Sequence, residues 1–328
     1  MKALYFEEVG TPEKVLKYGE IPQPQCLEGQ LVIKIEACTV NPADRMFING
    51  AYRRKPLFPQ IAGFDATGTV VEVDGKTQTP VGTRVYFRHP GVWAERVAVP
   101  EAITHHLPDQ ISFEAGTQLA LNLPTAWALM ELVRDRVEES SEGFLAVTAS
   151  QSAIARVLLA LARTRGYQTL GFVRESTTSV GNLEATHVIT YSQPDEIIEK
   201  VKRIRPAPKV VACLDPVGGA LATQMVHLME SHGELVIYGL LDPGPIDLTA
   251  RDYVSRLVRI SGFGIDGWLA RTPIDIQKKL RQQMHASLIR QPEMVSLNPP
   301  ITFKTFLDEV WRDPQFFSRG PNKIVLKP

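Results

Sequence analysis

The feature that most constrains the fold is an alternation of short apolar runs and long amphipathic stretches between residues 143 and 262. The runs are rich in β-branched residues, which favours buried strands, and segments of helical length separate them. The predicted strands are Phe144–Thr148, Thr169–Val173, Val188–Thr190, Val210–Leu214, Glu234–Tyr238 and Leu257–Gly262. The predicted helices are Ala153–Arg163, Asp195–Arg203 and Ala220–Glu230. Strands joined by helical crossovers predict an α/β fold with a doubly wound parallel sheet.

The first hundred residues have a different pattern. Short apolar or alternating runs follow one another closely, with Gly, Pro and Asp between them: Leu31–Ala37, Thr67–Val73, Arg84–Phe87 and Ala94–Val99. This spacing predicts a small barrel or sandwich. The last strand-like stretch, Lys323–Leu326, is expected to rejoin this domain. A chain of 328 residues suits two domains.

Charge and cysteine content exclude several classes of partner. Lys and Arg together number 36, as do Asp and Glu, so the formal net charge is zero. This argues against nucleic acid or an anionic membrane as an obligate partner, since both favour basic proteins. The three cysteines are far apart, which argues against a disulfide framework and a zinc ribbon. The sequence shows neither a signal peptide nor a long apolar run, so we expect a cytoplasmic protein.

The first strand-to-helix junction is the candidate phosphate site. In a doubly wound fold, phosphates bind at this junction against the helix N-terminus. Residues 148–155 read T-A-S-Q-S-A-I-A and lack the G-x-G-x-x-G pattern. The residues are small, and Ser150 and Ser152 could cap the helix and donate to a phosphate. An ordinary serine-capped helix explains the same residues equally well.

The end of the second strand bears on the choice of cofactor. An acid there favours NAD, whereas an arginine accommodates the 2′-phosphate of NADP. Arg174 lies at the tip and is followed by Glu175, Ser176 and Thr177. The guanidinium favours NADPH and Glu175 opposes it, while an arginine at a strand end is often merely solvated.

Taken in order, motifs along nearly the whole chain resemble those of the zinc-independent medium-chain dehydrogenases/reductases. The nearest groups are the 2-enoyl thioester reductases and the quinone oxidoreductases. The matching segments are Asn41–Asp44, Gly50–Tyr52 with Pro56, Pro59 and Gly63, Gly63–Gly68, Val81–Val85, Gly91–Val97, Thr125–Trp127, Val217–Gly219, Gly233–Leu240 and Ser261–Phe263 with Trp268. The resemblance implies a Rossmann NADP-binding domain over 119–264 and a GroES-like β-rich catalytic domain formed by 1–118 and 265–328. It also implies a homodimer.

The sequence departs from these relatives at the phosphate turn and from their zinc-containing relatives at the metal ligands. Gln151 and Ala155 replace the Asn and the last Gly of the enoyl reductase motif A-x-N-S-x-V-G. Zinc relatives carry Cys at the Asn41 position and His at the Phe64 position. Neither residue present can replace those ligands, so no metal is expected.

Without a metal, hydrogen bonds must polarise the acceptor while NADPH supplies the hydride. Such a site favours a small molecule with a conjugated acceptor: an enone, enal, enoyl thioester or quinone. By resemblance, Tyr52 is the catalytic candidate that stabilises the enolate oxygen or delivers the proton. A packing tyrosine in a turn is the other interpretation of Tyr52.

The remaining candidates follow from the turn and from the resemblance. Residues expected to contact the cofactor are Asn41, Thr125, Ser150, Gln151, Ser152, Ala153, Ile154, Arg174, Tyr191, Tyr238, Gly239, Leu240 and Phe263. Phe87 and Trp268 are candidate walls of the substrate pocket. Turn formation, core packing or a place in a surface loop explains several of these residues as readily. Arg53, Arg54 and Lys55 could meet the phosphates of a coenzyme A thioester, although a solvated loop is the simpler interpretation.

Three functional hypotheses follow. The first is an NADPH-dependent enoyl thioester or enone reductase, and the second is an NADPH:quinone oxidoreductase. The third is a nucleotide-binding protein that kept the fold without the chemistry.

Overall fold

The computed structural model describes residues 1–175, 183–312 and 322–328. They divide into two compact units, with Met1–Leu121 and the chain from Gln283 onward in the first and Asn122–Gln282 in the second. The second unit therefore continues beyond the limit predicted at residue 264. The helix Ile265–Arg271 lies in this unit because it contacts the helix Asn122–Glu138. Ser176 and Thr177 fall outside the described residues.

The first unit is built from β-strands, which confirms the sequence prediction. Its strands are β1 (Lys2–Phe6), β2 (Lys17–Glu20), β3 (Gln30–Thr39), β4 (Gln60–Ile61), β5 (Asp65–Val73), β6 (Arg84–Arg88), β7 (Arg96–Pro100), β8 (Thr104–His106) and, late in the chain, β15 (Ile301–Thr302) and β16 (Val325–Lys327). One sheet has the order β2-β1-β4. The larger sheet has the order β15-β16-β3-β5-β6-β8, and β7 also pairs with β3. The predicted return of the tail is confirmed, since Val325 and Leu326 pair with Thr39 and Cys38.

Short helices close the loops of the first unit. They are α1 (Pro12–Val15), α2 (Pro42–Ile48), α3 (Phe113–Gly116) and α11 (Phe303–Thr305), which continues as a π-helix over Phe306–Trp311. Three 3₁₀ turns lie at Glu101–Ile103, Thr117–Leu119 and Pro292–Met294. Helix α10 (Ile274–Arg290) contains the limit between the units. The core of the first unit combines aliphatic strand residues with a cluster of rings that includes Trp93, Phe306 and Trp311.

The second unit is the predicted doubly wound sheet. Its strands are β9 (Gly143–Val147), β10 (Gln168–Arg174), β11 (His187–Tyr191), β12 (Lys209–Asp215), β13 (Met229–Ile237) and β14 (Arg259–Gly262). All neighbouring pairs are parallel, in the order β11-β10-β9-β12-β13-β14. The helices are α4 (Asn122–Glu138), α5 (Ala153–Thr164), α6 (Ile197–Lys202), α7 (Gly219–Leu228), α8 (Ala250–Arg256) and α9 (Ile265–Arg271), with a 3₁₀ turn at Pro194–Glu196. All five residues of β9 are buried, as expected of a central parallel strand.

Several predicted boundaries in the second unit were wrong, most of all the start of β13, which was predicted at Glu234 and lies at Met229. The helix predicted to reach Glu230 ends at Leu228, because Met229 already pairs with Val210 in the sheet. The last strand was predicted from Leu257 but begins at Arg259. Leu257 ends α8 in the left-handed conformation, with φ of 53°.

The strand order places a topological switch at the middle of the second unit. The chain proceeds from β9 to β10 and β11, and then returns to β12 on the other side of β9. Ligands of doubly wound sheets bind at the carboxyl ends of the strands at such a point. The residues that follow β9 and β12 are therefore the first place to seek a binding site.

Among the described helices, none has the length and apolar character that crossing a bilayer requires.

Gly63 closes the loop that precedes β5, and its position requires glycine. Its φ is +84°, and a Cβ there would overlap the indole of Trp93. That indole is fully buried and donates through Nε1 to the Thr39 carbonyl at 3.1 Å, so it cannot move aside cheaply. The loop that leads to Phe64 and Asp65 is thus fixed by close packing.

Replacing Gly63 by Ala should lower the free energy of unfolding by about 3 kcal/mol, since left-handed strain adds to overpacking. Gly29→Ala is the matched control, because Gly29 has φ of +73° but no atom within 4 Å of an added Cβ. We expect that control to cost about 1 kcal/mol from backbone strain alone. Urea unfolding measures both variants, and equal losses would contradict the packing argument.

Candidate functional site

A group of polar side chains lies inside the first unit, where the apolar core would otherwise continue. We call it the polar cluster: Asn41, Asp44, Tyr52, Asp65, Arg88 and Lys323. These residues come from the start of α2, the loop after it, the start of β5, the end of β6 and the segment before β16. The fold thus joins five parts of the chain at one place.

Asp65 is the centre of the polar cluster. Its carboxylate is buried, and Oδ2 accepts a hydrogen bond from Asn41 Nδ2 at 2.6 Å. Oδ1 accepts from Arg88 Nη1, also at 2.6 Å. A buried carboxylate is costly unless it is paired and hydrogen-bonded, and here both oxygens are compensated.

Asn41 links Asp65 to two further charged groups. Its Oδ1 accepts a hydrogen bond from Lys323 Nζ. Its backbone N–H donates to Asp44 Oδ2 at 2.6 Å, which fixes the first turn of α2. The resemblance implied a cofactor contact for Asn41; the structure gives its amide two partners within the first unit, and the cofactor contact stays a prediction.

Burial changes the ionisation of two members of the cluster. It raises the pKa of Asp44 to about 7, and the nearby Asp65 carboxylate adds to this effect. Among the described residues, Asp44 Oδ1 has no hydrogen-bond partner. Burial also lowers the pKa of Lys323 to about 8, although Asp44 and Asp65 favour its charged form. Both groups therefore titrate near neutral pH.

Tyr52 contributes a hydroxyl group at the edge of the cluster. Its ring packs against Phe47 and Phe64, with centroids 6.5 and 5.3 Å apart, and it belongs to the partly buried rim of the core. Its hydroxyl oxygen accepts from Arg88 Nη2 at 3.3 Å. Packing and a hydrogen-bonding role thus coexist in Tyr52, so the two interpretations made from sequence do not exclude each other.

Phe64 occupies the position where the zinc relatives carry His. Its ring contacts that of Phe47 at 4.9 Å, and Arg88 Cζ lies 5.1 Å from its centroid. Burial raises the pKa of the nearby Cys38 thiol well above its usual range, which disfavours the thiolate that metals bind. Within the described ranges, no group of three or more His, Cys, Asp or Glu residues could hold a metal ion.

In the second unit, Asp215 joins the two loops at the switch point. It accepts from Thr148 Oγ1, directly after β9, and from the N–H groups of Val217 and Gly218 at 3.1 and 2.8 Å, after β12. Burial raises the pKa of Asp215, and these hydrogen bonds oppose the rise. Sequence reasoning missed this residue. An acid that directly follows an apolar strand and precedes P-V-G-G was the available signal.

The two serines of the phosphate turn have different roles. Ser152 Oγ accepts from Ala155 N at 3.3 Å and caps α5 as expected. The expectation that Ser150 caps the helix was wrong, whereas its contact with a phosphate stays a prediction. Ser150 is fully buried, its Oγ donates to the Val147 carbonyl at 2.7 Å, and its N–H donates to the Phe172 carbonyl at 3.0 Å.

The start of α5 nevertheless has the properties of an anion site. Gln151, Ser152, Ala153 and Ile154 are partly exposed there. The N–H groups of Ala153 and Ile154 open a twelve-residue helix, and N–H groups at this position have no carbonyl partner within a helix. Ala149 adopts φ of +44°, a conformation in which glycine is more usual. The turn therefore combines a residue in the left-handed conformation with N–H groups that are open at a helix N-terminus.

Several other predicted contacts line the same end of the sheet. Tyr238 donates its N–H to the Asp215 carbonyl at 2.9 Å, and its hydroxyl is buried beside Asp215, which raises its pKa. Gly239 is packed so closely that a Cβ would overlap the Pro216 carbonyl oxygen. Phe263 N donates to Ile237 O at 2.8 Å, whereas Leu240 is 69 % exposed.

Thr125 also lies in the second unit, on α4. It is only 4 % exposed, and its Oγ1 is buried with no hydrogen-bond partner among the residues described. A buried hydroxyl without a partner is costly, so a ligand atom that accepts or donates there would be favoured.

The end of β10 carries the charge pattern that bears on the cofactor. Glu175 accepts hydrogen bonds from Ser192 Oγ and from Lys200 Nζ, the latter at 3.1 Å. The Arg174 side chain interacts with the Tyr191 hydroxyl. Tyr191 is only 3 % exposed, so the surface-loop interpretation of this residue was wrong. Because Lys200 compensates Glu175, the acid opposes phosphate binding less than the sequence suggested.

The predicted pocket aromatics lie in different surroundings. Phe87 is 1 % exposed and belongs to the core of the first unit, as the packing interpretation allowed. Trp268 lies partly exposed on α9 of the second unit. Arg53, Arg54 and Lys55 are exposed in the loop after Tyr52, where Lys55 Nζ donates to the Gly50 carbonyl at 3.3 Å.

Comparisons with known proteins agree with this architecture. The alcohol dehydrogenase GroES-like domain matches residues 27–109. The chain is 25 % identical over 281 residues to the mitochondrial enoyl-[acyl-carrier-protein] reductase of Arabidopsis thaliana, covering 82 % of this chain and 73 % of that protein. It is 25 % identical over 333 residues to the quinone oxidoreductase of Lama guanicoe, covering 99 % and 97 %.

A solved structure shows the same fold over the whole chain. The Escherichia coli quinone oxidoreductase complexed with NADPH superposes with a TM-score of 0.84 at 18 % identity, covering 100 % of both chains.

The raised pKa of Asp44 predicts a stability change with pH. Between the unfolded value near 4 and the folded value of about 7, the native state binds more protons, so the stability contributed by this group falls as pH rises. The free energy of unfolding of Asp44→Asn, relative to that of the wild type, should increase by about 2 kcal/mol from pH 5 to pH 8. Urea unfolding at both pH values measures this difference.

Asp109→Asn is the control for this measurement, because the Asp109 side chain is 88 % exposed. Its difference from the wild type should be small at both pH values. A difference between Asp44→Asn and the wild type that stays constant or shrinks with rising pH would contradict the assignment.

Proposed function

Because this chain belongs to the medium-chain dehydrogenase/reductase superfamily, we propose that it is an NADPH-dependent reductase of C=C bonds conjugated to a carbonyl, with an enoyl thioester or enone as its substrate. The observation that carries the proposal is the hydroxyl of Tyr52. It accepts a hydrogen bond from Arg88, a residue without any acceptor atom, so its own hydrogen is left for a substrate.

The second unit has the features that NADPH requires. The N-terminus of α5 suits the pyrophosphate, since its first N–H groups and the helix dipole favour an anion. Arg174 and the buried hydroxyl of Tyr191 suit the 2′-phosphate, and Lys200 compensates the competing charge of Glu175. The unpartnered hydroxyl of Thr125 suits the amide of the nicotinamide. We propose the same cofactor role for Gln151, Ser152, Tyr238, Gly239, Leu240 and Phe263.

When bound by these residues, NADPH would supply a hydride for the β-carbon of the conjugated acceptor. The negative charge that develops is delocalised to the carbonyl oxygen, so a hydrogen-bond donor can stabilise it without a metal. Tyr52 either donates a hydrogen bond to that oxygen while water protonates the α-carbon, or gives its own proton to the α-carbon and regains one from water. The Arg88 guanidinium stabilises the tyrosine oxygen while the proton moves. A simple ketone lacks the delocalisation and is disfavoured.

A quinone is the second candidate acceptor. It is favoured by the likeness to the Lama guanicoe quinone oxidoreductase, which extends over 99 % of this chain. Both acceptors need hydride and a hydrogen-bond donor, so the polar cluster serves either. The third hypothesis, nucleotide binding without catalysis, is disfavoured because Tyr52 and its partner Arg88 are both in place.

Two further properties belong to the proposal. We propose a homodimer, supported by the position of β14 at an edge of its sheet and by the exposed Val254 and Leu257 near it. Light scattering coupled to size-exclusion chromatography tests this. We also propose a cytoplasmic location, which imaging of the tagged protein tests.

The direct experiment is NADPH oxidation followed by absorbance, with a panel of enoyl thioesters, enones and quinones. We expect turnover with enoyl thioesters or enones to exceed turnover with quinones. A clear preference for quinones would select the second hypothesis, and no turnover with tightly bound NADPH would select the third.

Replacing Tyr52 by Phe should lower kcat by about 100-fold, since general acid catalysis is worth at least that much. The dissociation constant of NADPH should not change, because Tyr52 is not among the residues proposed to bind the cofactor. Tyr18→Phe is the control, since Tyr18 is exposed on β2. An unchanged kcat in Tyr52→Phe would refute the role of Tyr52.

Replacing Arg174 by Ala should weaken NADPH binding about 30-fold through the loss of charge-assisted bonds to a phosphate, and leave NADH binding nearly unchanged. Titration calorimetry gives both constants. Arg163→Ala is the control, because Arg163 is an exposed arginine on α5 paired with Glu184. Equal losses for the two cofactors would count against NADPH.

A further inference from the structure

We propose that Arg88 is a positioning residue for Tyr52: its guanidinium holds the Tyr52 hydroxyl at a fixed place relative to Asp65 and determines which way the hydroxyl hydrogen points. The inference rests on the proposed function, in which that hydrogen is the one given to the substrate.

The position of the guanidinium is strongly determined. Nη1 donates to the buried Asp65 carboxylate at 2.6 Å, Cζ lies 5.1 Å from the Phe64 ring centroid, and the side chain is only 17 % exposed. The guanidinium group is planar and rigid, so fixing one nitrogen and the plane also fixes the other nitrogen. Nη2 therefore stands at a set position, 3.3 Å from the Tyr52 oxygen.

The same contact determines the direction of the Tyr52 hydroxyl. Arginine has five N–H donors and no acceptor, so the tyrosine oxygen must accept the hydrogen bond. In the described part of the chain, the Tyr52 hydroxyl has Arg88 as its hydrogen-bond donor and no group that accepts its hydrogen. The hydrogen is thus directed away from Arg88 and kept available, whereas a rotatable hydroxyl beside an acceptor would be turned inward.

Asp65 keeps Arg88 charged and in place. Burial lowers the pKa of Arg88, but the Asp65 carboxylate and the Tyr52 hydroxyl together more than offset this and raise it above its usual value. Asp44 and Lys323 are the other charged groups of the cluster, and Arg53 Cζ lies 5.9 Å from the Tyr52 ring centroid on its exposed side. Of the three cations Arg53, Arg88 and Lys323, Arg88 is the one that hydrogen-bonds the Tyr52 hydroxyl. Replacing it should therefore affect proton donation selectively.

Arg88→Lys tests the inference with little risk to the fold. A lysine preserves the charge beside Asp65, but one ammonium cannot place two fixed donors on Asp65 and Tyr52 at once. We expect kcat with the preferred conjugated acceptor to fall about tenfold from misplacement of the donor, with KM and the NADPH dissociation constant within twofold of the wild type. Arg84→Lys is the matched control, because Arg84 lies on the same strand but bonds Pro108 and Ile111 carbonyls. It should keep the wild-type kcat.

A double-mutant cycle separates positioning from a general structural effect. If Arg88 acts through Tyr52, Arg88→Lys should cause no further loss of kcat in the Tyr52→Phe background. The same tenfold loss in both backgrounds would overturn the inference. Should Arg88→Lys prove unstable, Asp65→Asn with Arg88→Gln replaces the ion pair by neutral amides, and the same cycle applies.

A spectroscopic measurement tests the contact without any turnover. With tyrosine labelled by ¹³C at Cζ, the Tyr52 signal is the one missing from the spectrum of Tyr52→Phe. The chemical shift of this signal should change in Arg88→Lys and stay the same in Arg84→Lys. An unchanged shift in Arg88→Lys would overturn the inference. Failure of the proposed function is a different result: no acceptor is reduced, or Tyr52→Phe keeps full activity, while the Tyr52 signal still responds to Arg88.

Discussion

The first unit depends on the hydrogen bonds that compensate the buried carboxylate of Asp65. An ion taken out of water costs several kcal/mol unless good partners replace the water. Asn41 and Arg88 provide that compensation at 2.6 Å each. Asn41 and Arg88 each make a further hydrogen bond. Asn41 accepts from Lys323, near the end of the sequence, and Arg88 donates to the hydroxyl of Tyr52. A single electrostatic requirement thus arranges the groups proposed to do the chemistry.

The second unit also contains a buried carboxylate that hydrogen bonds compensate. Asp215, buried at the end of β12, is compensated by Thr148 from the turn after β9 and by two N–H groups of its own loop. The two loops at the switch point are therefore tied together before any ligand arrives. This link gives the turn a defined shape without glycine-rich spacing, at the place where we propose that the pyrophosphate binds. Preorganisation of this kind reduces the cost of ordering loops on binding.

The sequence predicted the strands and helices well where the pattern is local. The alternation over residues 143–262 is set by burial of each strand and by one apolar face on each helix, so nearly every element was found. The misses have non-local causes. The end of α7 depends on sheet pairing by Met229, and the role of Ser150 depends on the carbonyl groups of Val147 and Phe172. Arg88 and Lys323 carried no signal, because their partners lie far away in the sequence. Motif reading found Tyr52 but could not show which group holds its hydroxyl.

The proposed function requires that NADPH gives a hydride to a conjugated carbon and that protein groups, not a metal, stabilise the charge that develops. The most direct test is product analysis after turnover with NADPH deuterated at C4, using protein dialysed against a strong chelator. We expect one deuterium on the β-carbon of the reduced enoyl thioester or enone, at an unchanged rate after chelation. Loss of activity that zinc restores, or a product without deuterium from either C4 position of NADPH, would contradict it.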